Sequence, residues 1–241
     1  MQTEVEGIVL KETPYSESSK VLQVLTKEYG LISILAKGAS SLKSHLRSLT
    51  IPFLYAKFEI IYKKDKLSIL KGGKIINLYG NKLKDLKIYA YMSSLSELSY
   101  STLKENNNSE IFNILISGFN KITSGLNPEV IKNIIEFKYL NYLGITPNLR
   151  TCSKCHASDD FCAIDGKNGG FICRSCYTNE RKIPDNFPKI INRYQNVDIE
   201  EIKNINITKD NQDIINEFLK EYYETYSAVF TNSLKFLATI K

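Results

Sequence analysis

Through the first 80 residues apolar side chains come in short runs; beyond them they recur at helical spacing, and that change of period divides the chain. The runs 5–10, 21–25, 31–36, 52–62 and 67–78 are punctuated by Thr13-Pro14-Tyr15-Ser16, Thr26-Lys27-Glu28-Tyr29-Gly30 and Lys37-Gly38-Ala39. Five short strands separated by Gly or Pro turns predict a small antiparallel barrel. From 82 to 103, Leu83, Leu86, Tyr89, Ala90, Leu95 and Leu98 recur at helical spacing. Asn106-Asn107-Asn108-Ser109 breaks this pattern and 110–123 restores it. Asn127-Pro128-Glu129 predicts a helix start, because a capping side chain precedes a proline whose missing N–H costs nothing at the first helical position. That helix runs through Ile131, Ile134, Ile135 and Tyr139 to Leu143, with Gly144 as its stop. A last amphipathic helix is predicted over 210–237, led by Ile214, Ile215, Phe218, Leu219 and Tyr222. Its aromatic stripe (Tyr222, Tyr223, Tyr226, Phe230, Phe236) reads as core rather than as a base-stacking platform.

Between the helices lie Cys152-x2-Cys155 and Cys173-x2-Cys176, with seventeen residues separating the pairs. Each C-x2-C turn points two sulfurs at one ion, and two such turns complete a tetrahedron of thiolates suited to zinc. Gly166, Gly169 and Gly170 supply turns for a hairpin that returns the second pair to the first. Two disulfides in a secreted module is the competing reading. A long, otherwise cysteine-poor chain opening on the acidic Met1-Gln2-Thr3-Glu4-Val5-Glu6 favours a reducing compartment instead. Four thiolates leave no open position for water, so one structural zinc ion per chain is expected. His156 and Cys162 are read as bystanders. The expected fold class is α+β: a five-stranded barrel over 1–80, an all-α domain over 81–150 and 178–241, and an inserted four-cysteine zinc module over 151–177.

The 241 residues are 43% hydrophobic and 24% charged, ordinary for a soluble globular protein. No apolar run approaches the roughly 18 residues that span a bilayer. Net charge is +6, unevenly placed: residues 1–80 hold twelve Lys or Arg against seven acids, the remainder twenty against nineteen. No Asp or Glu occurs between Glu28 and Glu59, a window carrying Lys37, Lys43, Arg47 and Lys57. A positive field confined to one domain is what phosphate binding requires. No Gly-x4-Gly-Lys-Ser/Thr loop or Gly-x-Gly-x-x-Gly turn is present for nucleotide phosphates. The two histidines, His45 and His156, have no sequence neighbour that would make either a general base, and no carboxylate cluster suggests a two-metal nuclease. Binding, not catalysis, is the expectation.

The stretch Gly7-Ile8-Val9-Leu10-Lys11-Glu12-Thr13-Pro14-Tyr15-Ser16-Glu17-Ser18-Ser19 resembles the opening of the bacterial RecO recombination mediators. So do Leu25-Thr26-Lys27-Glu28-Tyr29-Gly30, Ala36-Lys37-Gly38-Ala39 and Pro52-Phe53 in their order. Tyr142-Leu143-Gly144-Ile145-Thr146-Pro147-Asn148-Leu149 before Cys152, and Gly169-Gly170-Phe171-Ile172-Cys173, resemble the same family. The likeness covers most of 1–180. It implies an OB-fold barrel, a helical domain and a zinc module. It further implies binding of single- and double-stranded DNA, annealing of complementary single strands without nucleotide, and action with RecR to load RecA onto DNA coated by the single-stranded DNA-binding protein SSB. A nucleoid-associated, cytoplasmic location follows. One departure stands out: relatives usually carry arginine just after Lys37-Gly38-Ala39, where this chain has Ser40 and Ser41.

Lys37, Lys43 and Arg47 are accordingly expected to contact phosphates from barrel loops, with Lys20 and Lys57 nearby as weaker candidates and Tyr15 as a base-stacking ring. The acidic C-terminal tail of SSB would need an apolar groove with a basic rim, for which 82–150 offers Lys132, Lys138 and Arg150. Two other classes compete: a protein–protein adaptor with incidental charge, and a nucleic-acid-modifying enzyme with a structural zinc ribbon.

Overall fold

The thirteen-residue first strand, β1 (Gln2–Pro14), is long enough to pair with two neighbours at once. Its first half runs antiparallel to β4 (Tyr55–Ile61) and its second half to β2 (Lys20–Thr26). A register shift between Val9 and Lys11 bends it between the two. With β3 (Gly30–Ala36) and β5 (Ser68–Asn77) the sheet closes in the order β1-β2-β3-β5-β4, β3 and β5 pairing in parallel. This five-stranded, OB-like barrel comes from a computed structural model that describes residues 1–105 and 108–229. Alternation fills it: along β4, Ala56, Phe58 and Ile60 are buried while Lys57 and Glu59 face water. One end is plugged by Ala39, Leu46 and Leu49 from the connection between β3 and β4, all members of the barrel's core cluster.

The chain divides into two compact units, Met1–Phe119 and Asn120–Phe230, the second described as far as residue 229. The first therefore holds the barrel together with α1 (Leu86–Glu105) and most of α2 (Glu110–Thr123). α1 begins later than the apolar spacing predicts. A 3-10 turn occupies Gly80–Lys84, and the Asp85 carboxylate then accepts the backbone N–H groups of Lys87 (2.8 Å) and Ile88 (3.3 Å). Within this unit the Phe53 ring meets Tyr89 and Phe119 edge-on, and Phe53, at a left-handed φ of 65°, donates its N–H to the Val9 carbonyl at 2.8 Å. Of the predicted break after α1, Asn106 and Asn107 lie outside the described residues.

In the second unit α3 (Pro128–Tyr142) starts as expected, Asn127 accepting the Glu129 N–H at 3.0 Å, and Gly144 follows it at φ 71°. Burial on nearly every side makes α3 the central helix. Phe137 stacks on Phe218 of α5 (Lys209–Tyr226) and takes Tyr194 of α4 (Phe187–Asn196) edge-on. Tyr222 and Tyr223 are core, as expected; their hydroxyls donate to the carbonyls of Ile145 and Glu136. The helix ends at Tyr226, where Ser227 turns extended, short of the predicted 237, and Tyr226 is exposed rather than core; Phe230 and Phe236 lie outside the described residues. Among those described, no helix is long and apolar enough to cross a membrane.

Candidate functional site

The four-cysteine segment folds as the expected hairpin. β6 (Phe161–Asp165) and β7 (Gly170–Cys173) pair antiparallel, and β8 (Arg181–Lys182) adds to β6. The first knuckle is fixed locally: Cys152 N–H donates to Ala157 at 2.7 Å, His156 N–H to Cys152 at 2.9 Å, and Ser153 N–H to Phe171 of β7 at 2.8 Å. The second knuckle begins at the last residue of β7 and turns through Arg174–Cys176. The sulfurs of Cys152, Cys155, Cys173 and Cys176 all lie within 4.8 Å of one another, Cys155 and Cys173 at 3.5 Å. A tetrahedron with metal–sulfur bonds of about 2.3 Å places its sulfurs about 3.8 Å apart, so the cluster can hold one metal ion. His156 and Cys162 are not part of it.

The thiols are not equivalent. Burial disfavours a Cys152 thiolate, but the backbone N–H groups of Cys173, Cys155 and Lys154 outweigh it and bring its pKa down to about 6. Cys176 is pushed up to about 12 by its contacts with the Cys155 and Cys173 side chains, and by burial. Four anionic sulfurs this close repel one another; a divalent cation among them reverses that balance.

Gly166 seats the module. A Cβ there would lie 2.6 Å from the Phe218 carbonyl oxygen and 2.8 Å from the Tyr222 nitrogen, both backbone atoms of α5. Gly166 N–H donates to Glu221 at 3.2 Å, and the Tyr226 hydroxyl to the Lys167 carbonyl at 2.8 Å. Gly166→Ala is expected to cost roughly 1–3 kcal/mol through overpacking against backbone that cannot yield. Denaturant unfolding followed by tyrosine fluorescence checks this; an unchanged midpoint would mean that the hairpin turn is not clamped on α5.

The basic loop is built differently. From Gly38 to Arg47 the backbone folds back every three residues, Ser41 N–H to Gly38, Ser44 to Ser41 and Arg47 to Ser44, at 3.1–3.2 Å. This coil brings Lys37, Lys43 and Arg47 onto one segment while its buried residues plug the barrel. All three are exposed and make no ion pair among the described residues. Ser40 N–H donates to the Ser18 carbonyl at 2.9 Å and Gly38 N–H to the Ser19 hydroxyl at 3.3 Å, drawing in the β1–β2 turn. Tyr15 in that turn is 64% exposed, with no ring partner among the described residues. Lys20, opposite Pro14 and Ala36, lies at the same barrel end but is paired with Glu12.

Lys57 lies on β4, facing water, opposite Glu6 of β1 and Lys74 of β5. There it pairs with Glu4 at 3.3 Å, and the Glu28 carboxylate accepts the Glu6 N–H. One correction concerns Lys132, expected to be spare. It is buried in an ion pair with Glu136 one helical turn on, at 2.5 Å. Burial also lowers the Lys138 pKa, opposed by Asp198, while Arg150 is exposed.

The model of the N-terminal part of recombination protein O matches residues 1–79, and that of its C-terminal part matches residues 83–235. The chain belongs to the RecO family. Curated RecO relatives match along almost their whole length. DNA repair protein RecO of Bacillus subtilis strain 168 is 29% identical over 98% of this chain and 94% of its own. The RecO proteins of Bacillus cytotoxicus and Halalkalibacterium halodurans are 30% and 29% identical, covering 98% and 96% of this chain and 97% and 92% of theirs.

Proposed function

We propose that this chain is a DNA repair protein that acts as a recombination mediator: it binds single- and double-stranded DNA through the basic end of its barrel and anneals complementary strands without nucleotide. The observation that carries this reading is the coiled loop on which Lys37, Lys43 and Arg47 stand exposed and unpaired beside the Tyr15 turn. Three cations on a segment hydrogen-bonded to itself and anchored in the barrel core can neutralise phosphates, and an exposed ring beside them can stack on an unpaired base. Bringing two strands together requires offsetting their repulsion, which a compact basic surface does without fuel. Family membership supports the remaining steps: action with RecR, recognition of the SSB tail, and loading of RecA. The protein is no enzyme on this reading and works in the cytoplasm, at the nucleoid.

The ion held by the four cysteines is zinc, bound structurally. Cys152, Cys155, Cys173 and Cys176 present four thiolates and no open position, so the metal supplies folding free energy to the hairpin rather than chemistry.

Titration of a labelled single-stranded oligonucleotide at several salt concentrations tests the DNA reading. With about four phosphates neutralised, log K falls with log salt at a slope near about −3. Salt-insensitive binding to protein partners, with no DNA affinity near physiological salt, would instead make the chain an adaptor.

A further inference from the structure

The two knuckles are tied together by a second connection that uses no sulfur. Lys154 lies inside the first knuckle, between Cys152 and Cys155, and Glu180 lies four residues beyond Cys176. The Glu180 side chain is only 4% exposed. It accepts the N–H groups of Thr178 at 2.8 Å and Asn179 at 3.2 Å, the Thr178 hydroxyl at 2.8 Å, and the Lys154 ammonium. Lys154 also donates to the Cys176 carbonyl at 3.2 Å, so it holds the backbone of one ligand from the turn that carries two others.

We infer that Lys154 and Glu180 are positioning residues for the metal: a latch that sets the second knuckle against the first so that four sulfurs converge. The inference rests on the zinc reading and deepens it. A carboxylate this buried, with one cation and three other donors converging on it, is not a solvated surface pair. Its pKa is lowered to about 2, with the Lys154 hydrogen bond the largest cause, so it stays ionised wherever the thiolates can form. Removing Lys154 leaves the carboxylate without its cation and releases the Cys176 carbonyl; removing the Glu180 charge frees the Thr178 turn that follows Cys176. Either change leaves every sulfur in place and loosens the geometry that brings them together. Groups that orient ligands from outside the coordination sphere act on metal affinity by about 10–100-fold.

The test is competition for zinc between a chromophoric chelator and the full chain, in the wild type, Lys154→Met, Glu180→Gln, the double variant and Lys154→Arg. Each single variant is expected to lose at least about 10-fold in zinc affinity. The double variant should lose little more than either single one, because both act through one contact. Lys154→Arg keeps the charge and recovers part of the loss. Cobalt-loaded variants should keep the wild-type thiolate absorption bands, since the ligands are unchanged, whereas misfolded ones would lose them. One zinc per chain in the wild type, with unchanged affinity in both single variants, would overturn the latch alone. A wild type that takes up no zinc would overturn the latch and the zinc reading together.

Discussion

Cys152→Ser is expected to abolish stoichiometric zinc binding and to open the hairpin to protease, while leaving the barrel's DNA affinity intact. Cys152 is the fully buried member of the cluster, and its sulfur accepts the Cys173 N–H at 3.4 Å. A serine side chain is shorter and its oxygen harder and protonated, so only three thiolates would face the ion, beside an open position through which a chelator can withdraw it. Binding of structural zinc at neutral pH contributes about 10–16 kcal/mol in small modules, which here is free energy that folds the hairpin. The apolar side chains buried in the module, notably Phe171 and Ile172 of β7 and Ala163 and Ile164 of β6, are too few to replace it. Metal analysis after dialysis against a chelator, with limited proteolysis across 151–182, checks this expectation. Zinc retained at one per chain with wild-type affinity would contradict the weight placed on the Cys152 thiolate.

The second large effect concerns DNA. The triple variant Lys37→Ala, Lys43→Ala, Arg47→Ala removes three phosphate contacts from a surface assigned about four. At about 0.7 per phosphate on single strands, the slope of log K against log salt should flatten from about −3 to about −1. At 0.1 M salt the same loss of counterion release lowers affinity by about 100-fold. Folding should be untouched, because the loop is anchored by Ala39, Leu46 and Leu49 rather than by its charged residues. Lys57→Ala should scarcely alter the slope, since that lysine is ion-paired with Glu4 and stands opposite Glu6. Fluorescence anisotropy over a salt series measures both, and an unchanged slope in the triple variant would rule the loop out as the main contact.

The parts of this molecule governed by local rules were legible in the sequence. Strand runs and the Asn127-Pro128 helix start follow from neighbours a few residues apart, and the two C-x2-C turns carry the ligand spacing of a zinc site. α4 went unnoticed although Phe187, Ile191 and Tyr194 keep helical spacing behind Pro188; ten residues with three buried positions give a weak signal beside a zinc module. The delayed start of α1 was written in Asp85, whose capping role the apolar spacing from Leu83 obscured. What depended on pairing across space was hidden. Nothing in the sequence tells that Lys57 falls opposite Glu6, because strand register is set by the whole barrel. Lys132 looked available for the same reason that its partner, Glu136, looked ordinary: an i, i+4 pair on a helix reads as surface until the helix proves to be central. Lys154 and Glu180 are 26 residues apart and carry no spacing rule at all.

The central claim, a fuel-free mediator that works through the basic end of its barrel, is tested most directly by annealing. Complementary oligonucleotides coated with the cognate SSB would be mixed with the protein in the absence of nucleotide, and duplex formation followed by fluorescence quenching. The account predicts acceleration above the protein-free rate, lost in the Lys37, Lys43, Arg47 triple variant. No acceleration, with RecR absent or present, would contradict it and leave the adaptor reading in its place.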